Sequence, residues 1–260
     1  MQANRFNMFA ALYGKEMREL LAEITIVVLL AIVVNVVLFF RLDQSPFRYV
    51  LFVPNMMLFG LACFLPFISS FKLIYREWRS NTIYMLLSLP VKGASVLGAK
   101  LAALLTQYVI GSLAVMGTCL LLVLALMGPE FSQGLQELCR ESGLSTSQLL
   151  GEGLLLYMLS IAVLIYLVSI SFGSQMVGKL VRRYSGLLTI VVFIALYSTM
   201  QKLIGLFWNQ VDLHFNIGHA YSMSIGVINQ YLGLALLSLL SASALLYAGT
   251  IWIYNRRIEL

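Results

Sequence analysis

Six long apolar runs constrain this chain more than any motif in it. They cover residues of about 23–40, 50–71, 97–127, 153–178, 185–201 and 228–254. A helix crosses the hydrocarbon of a bilayer with about 20 predominantly apolar residues. Inside lipid every backbone polar group must be satisfied within the protein, which leaves helices and closed barrels. The runs are continuous and do not alternate with period two, so they read as helices and not as barrel strands. The sequence therefore predicts an all-α integral membrane protein, a single transmembrane domain over residues 1–260. Charged residues make up only 11% of the chain, against roughly 25% in soluble domains, so much of the surface need not face water. The third run is longer than a bilayer needs and should tilt, kink or project. Residues 1–22 lack a short apolar core with a small-residue cleavage site, so no cleavable signal peptide is expected.

Charge orients the runs. Six spans put both termini on one side, and Glu23 stands at the mouth of the first. The other charges are assigned to the segments outside the spans, with Lys100, at the start of the third run, counted with the inner segment before it. If the termini are cytoplasmic, 13 of the 17 lysines and arginines lie inside, and only Arg41, Arg48, Arg140 and Lys202 lie outside. That split follows the positive-inside bias, while Asp43, Glu130, Glu137, Glu141, Glu152 and Asp212 collect in the outer segments. The expected topology is multi-pass with both termini cytoplasmic. The net charge of +6 is explained by topology. The basic residues are dispersed at helix ends and form no patch of the kind that binds nucleic acid, so no nucleic-acid partner is expected.

The stretch before the first span is amphipathic. Phe6, Phe9, Tyr13, Met17 and Leu20 recur at helical spacing, while Arg5, Lys15, Glu16, Arg18 and Glu19 fall largely on other faces. The pattern predicts a helix over 4–22 lying in the membrane interface, either an anchor or a lever on the first span. Residues 128–152 open with the Gly128-Pro129 breaker and predict a short helix around 131–139. Residues 203–226 are too apolar for an ordinary loop, yet are interrupted by Gly205, Asn209, Asp212, Asn216 and Gly218. They predict two short outer helices before the last span, with Phe207, Trp208 and Tyr221 at the interface. Cys63, Cys119 and Cys139 form no closed disulfide framework, and His214 and His219 have no ligand cluster around them.

Several function classes lack their signatures. An ion-coupled carrier places ionisable residues near the midplane, and a channel needs a selectivity element. No catalytic elbow, metalloprotease helix or phosphate loop occurs, so the chain is expected not to be an enzyme and to bind no cofactor itself. The polar groups within the runs include Asn35, Thr106, Gln107, Thr118, Ser171 and Gln175. Interhelical hydrogen bonding is the plain reading of these. Asn35 and Gln107 are also candidates for lining a transport path.

A motor must then lie elsewhere, and residues 75–100, YREWRSNTIYMLLSLPVKGASVLGAK, offer it a grip. Arg76, Glu77 and Arg79 follow the second apolar run. A short amphipathic helix carries Ile83, Leu86 and Leu87 on one side, and Pro90 ends it. Leucines in such a loop have nothing to bury against unless something docks there.

The run Glu77…Asn81-Thr82…Leu86-Leu87-Ser88-Leu89-Pro90-Val91-Lys92…Lys100-Leu101 resembles the cytoplasmic loop of type-2 ABC exporter permeases, six-span membrane subunits that work with a separate ATPase. The Lys15-Glu16 pair, the span count and the interrupted segment before the last span extend the likeness over most of the chain. Asn81 stands where the family often has glycine, and Tyr84 where glutamate is frequent. The resemblance implies a coupling helix docked on the ATPase through Glu77, Arg79, Leu86, Leu87 and Pro90, braced by Lys15 and Glu16. It implies two permease copies forming a path between their first, second and fifth spans. Two ATPase copies would hold ATP and Mg, and membrane lipid would surround the assembly. The lack of buried charge suits an amphipathic cargo such as a peptide, antibiotic or lipid-like molecule. A scaffold or assembly protein without transport, and an ion-coupled carrier, stand as alternatives.

Overall fold

The computed structural model describes residues 5–42, 52–79, 93–142, 145–179, 184–215 and 225–258. Six α-helices fill them: α1 Arg5–Leu42, α2 Phe52–Arg79, α3 Gly93–Ser142, α4 Thr146–Gly178, α5 Ser185–Phe215 and α6 Ile225–Ile258. There is no strand among the described residues. Each of the six contains a stretch long and apolar enough to cross a membrane. The fold is an all-α, multi-pass membrane architecture.

The helices run past the expected spans, and their local chemistry says why. α1 has no break between the amphipathic stretch and the first span. The junction Leu20-Leu21-Ala22-Glu23 is built of strong helix formers, so residues 5–42 form one helix. At 1.5 Å per residue its 38 residues extend about 57 Å, well beyond the roughly 30 Å of hydrocarbon. α2 tolerates Pro54 in its first turn, where the missing N–H is no loss, and continues through Pro66. α3 bends at Gly128, whose φ of 42° and ψ of −116° lie outside helical space. Only glycine adopts such an angle without strain, and Pro129 restarts the helix, which continues to Ser142. The Gly-Pro breaker thus acts as a kink, and the helix behind it is longer than predicted.

One expectation changes. α5 continues through Gly205 and Asn209 to Phe215, where a break into short helices was expected. A single glycine costs a helix only about 1 kcal/mol, which its neighbours Leu203, Ile204, Leu206 and Phe207 offset. Residues 216–224 lie outside the described residues, as does the predicted coupling helix within 80–92.

The chain divides into two compact units, Met1–Ser69 with Gly98–Gly151, and Ser70–Leu97 with Glu152–Leu260. In the first, α1 and α3 run parallel, with bonded pairs at nearly constant offset: Glu16 with Lys100, Glu23 with Gln107, Asn35 with Thr118. The facing part of α2 is antiparallel to α1, since Glu23 meets Ser69 and Asn35 meets Asn55. Between these polar levels lies an apolar layer of Val27, Ala31, Leu58, Ala62 and Val115. A second layer of Leu122, Val123 and Leu126 closes on Leu38 and, past the kink, Phe131.

The second unit is centred on α4, buried almost without interruption from Val168 to Met176. Tyr166 and Ile170 pack with Ala242 of α6 and with Phe193 and Leu196 of α5. The Ser70 hydroxyl donates to Ser171 at 2.8 Å, and the Gln175 amide donates to the Ser70 carbonyl at 3.2 Å. Thr189 is the one buried residue among those of α5 with described side chains, and it sits against Gly178. A Cβ on Gly178 would collide with the Thr189 hydroxyl and lie 2.9 Å from its Cα. Gly178→Ala is therefore expected to destabilise the chain by about 1–3 kcal/mol or more, read by thermal unfolding in detergent. Thr189→Ser should not rescue it, because the collision includes backbone.

Candidate functional site

The candidate site is the polar axis of the first unit. α1 buries Glu16, Leu20, Ile24, Val27, Ala31 and Asn35, one helical stripe that turns polar residues and the core in the same direction. Its lowest level is an ion pair. Glu16 and Lys100 are 2% and 1% exposed, and the Lys100 ammonium donates to a Glu16 oxygen at 2.9 Å. Lys15 lies 3.6 Å from that oxygen with its side chain 40% exposed. This corrects two expectations. Glu16 belongs to the buried face of α1 and not to its solvated side, and Lys100 is a core residue of α3 and not a residue of an inter-span segment. Hydropathy cannot distinguish a solvated charge from one whose partner lies 84 residues away. Nearby, the Tyr13 hydroxyl, expected on an apolar face, bonds Thr106 at 2.9 Å.

Two turns further along α1, Glu23 accepts bonds from the Ser69 hydroxyl and, at 3.0 Å, from the Gln107 amide. Gln107 is buried, and its Oε1 has no hydrogen-bond partner among the described residues. The third level is a reciprocal amide pair. Asn35 donates to Asn55 Oδ1 at 3.0 Å and Asn55 donates back to Asn35 Oδ1 at 3.1 Å. Thr118 accepts from Asn35 at 3.2 Å. Of the candidate path residues, Asn35 and Gln107 are thus both held in bonds between helices. Asn55 and Ser69, their partners on α2, carried the same signal of a polar residue within an apolar run and were overlooked.

Two apolar grooves flank the asparagine level. One of about 590 Å³ is lined by Asn55, Phe59, Met116, Cys119, Leu120 and Phe131. The other, of about 350 Å³, is lined by Asn35, Phe39, Thr118, Leu121 and Leu122 among others. Each presents an apolar wall with an amide from the same hydrogen-bonded pair. Such a surface suits a hydrocarbon chain carrying an isolated polar group. Gln107 borders neither groove.

The predicted coupling residues are divided. Glu77 and Arg79 form the last turn of α2 in the second unit, Glu77 buried and Arg79 exposed. Leu86, Leu87 and Pro90 lie outside the described residues. Lys15 and Glu16 belong to the first unit, with Glu16 committed to Lys100. Among the described residues, no three of His, Cys, Asp and Glu come together as a metal site would require. No family model, curated protein or solved structure matches the chain.

Proposed function

We propose that this chain is the membrane-spanning permease subunit of an ATP-driven ABC exporter in a bacterial plasma membrane, with both termini cytoplasmic. Two copies form the path, and two copies of a separate ATPase supply the work. The observation that carries the reading is the segment 75–93, whose LLSLP motif lies between two membrane-capable helices on the side that charge bias assigns to the cytoplasm. A chain without a phosphate loop needs such a grip if ATP is to drive it. α5 lends support: Leu187, Ile190, Ile194, Leu203 and Leu206 are all uncovered within one chain, as a helix beside a second copy would be. The grooves beside Asn35 and Asn55 favour an amphipathic cargo.

The test is reconstitution of the chain in proteoliposomes with candidate ABC ATPase subunits from the same source. ATP hydrolysis should be stimulated by cargo, and labelled cargo should accumulate only with ATP. Transport driven by an ion gradient without ATP would overturn the reading in favour of a carrier, an alternative that draws on Glu23, a carboxylate bonded within the helix bundle. Full membrane insertion with no transport under any driving force would favour a scaffold.

A further inference from the structure

We infer that the joined ends of α2 and α4 bind the phosphate headgroup of an anionic phospholipid. Lys179 follows Gly178, the last residue of α4, and its ammonium lies 5.4 Å from the centre of the Tyr75 ring and 5.8 Å from that of Trp78. Both rings belong to α2. Aromatic faces attract a cation through their quadrupole but carry no net charge. Among the described residues, no carboxylate lies within ion-pair distance of Lys179. Desolvation pushes its pKa down from the ordinary lysine value, a penalty that an anion at this point would relieve.

Trp78 supplies a second donor. Its indole Nε1 is closed off from solvent and has no acceptor among the described residues, a costly state for a buried N–H. A phosphate held by the ammonium gains this N–H as a second donor once the edge of the ring opens to it. The exposed face of α2 that carries Tyr75 is basic. Lys72, Tyr75, Arg76 and Arg79 are exposed and recur at i, i+3, i+4 and i+7, one face of α2. Glu77, the acidic residue of this turn, is buried and falls on the opposite side of the helix.

Tyrosine and tryptophan at a helix end sit at headgroup level, and basic pockets between transmembrane helices there take anionic headgroups. A free phosphate has the same oxygens but no acyl chains. Next to this end, where Gly178 meets Thr189, α5 leaves Leu187, Ile190 and Val191 exposed, a surface for those chains. The inference does not depend on the ATPase partner.

Trp78 is also the reporter. The chain has three tryptophans, so Trp208→Phe with Trp252→Phe leaves Trp78 as the sole fluorophore. This full-length variant is placed in phosphatidylcholine nanodiscs and titrated with brominated phosphatidylglycerol or brominated phosphatidylcholine. Quenching by the anionic lipid should reach its half-point at about fivefold lower mole fraction, as one interfacial charge contributes. Lys179→Gln should abolish that preference, Lys179→Arg should keep it, and Lys202→Gln, on exposed α5, should leave it unchanged. Equal quenching by the two lipids, or a preference that survives Lys179→Gln, overturns the inference. So does a preference erased by inorganic phosphate in the buffer, which would assign the site to a free anion. If the tryptophan replacements prevent folding, native mass spectrometry of the unmodified chain decides. It should retain phosphatidylglycerol over phosphatidylcholine, Lys179→Gln should not, and equal retention by both overturns the inference.

Discussion

Glu16→Met is expected to destabilise the chain by about 3–5 kcal/mol, the usual cost of removing one partner from a buried ion pair. The change deletes the carboxylate 2.9 Å from Lys100 and leaves that ammonium, 1% exposed, without it. Lys100→Met should cost less, because Lys15 remains 3.6 Å from Glu16 and is exposed enough to move toward it. The double variant is the informative one. Two methionines of similar volume replace both charges with apolar contacts, and such exchanges are often neutral or stabilising. Chemical unfolding in detergent, arranged as a double-mutant cycle, should show the pair recovering most of what Glu16→Met loses. Additive losses would mean that the two side chains contribute separately and that the pair does not hold α1 to α3.

Leu87→Asp is expected to lower ATP-coupled transport by about thirtyfold or more, the effect of losing an interface anchor worth ~2 kcal/mol, while thermal unfolding of the isolated chain stays unchanged. The size of the effect comes from placing a carboxylate where, in the proposed assembly, the ATPase groove would have to desolvate it. Arg79→Glu is the companion probe, because Arg79 is exposed and its replacement should disturb docking and not the unit. Glu77 is a poorer choice: it is buried, so a change there mixes folding with coupling. Normal coupling in Leu87→Asp would remove the main support for an ATPase docked on this loop.

Much of the architecture was readable in the sequence because lipid allows so few solutions. The six runs each fall largely within one helix, and Gly128-Pro129 marked the bend of α3. What the sequence concealed were relations between distant residues. The local pattern places Glu16 on the wet side of an amphipathic helix because it assumes every charge seeks water. The buried Lys100, bonded at 2.9 Å, makes the burial of Glu16 tolerable. The same holds for Asn35, whose interest as a path residue must now be weighed against its reciprocal bonds with Asn55. The lengths of α1 and α5 were missed for a different reason. Hydropathy falls at Glu23 and Gly205, but a helix ends only where its backbone is stopped, and neither residue stops one. Lys179 gave no local signal at all, since its aromatic partners lie on another helix.

The steady offset between α1 and α3 fixes what motion the first unit can make. Sliding one helix past the other by a single turn would set Glu16 against Leu104, Glu23 against Gly111 and Asn35 against Leu122. Every polar level would lose its counterpart in the same step, and no intermediate position would restore one level before the others failed. The two helices are therefore keyed along their length like a splined shaft, free to tilt or turn together but not to shear. A conformational cycle in this protein has to carry them as one body, and a force applied at the Glu16 end reaches the Asn35 end without loss of register.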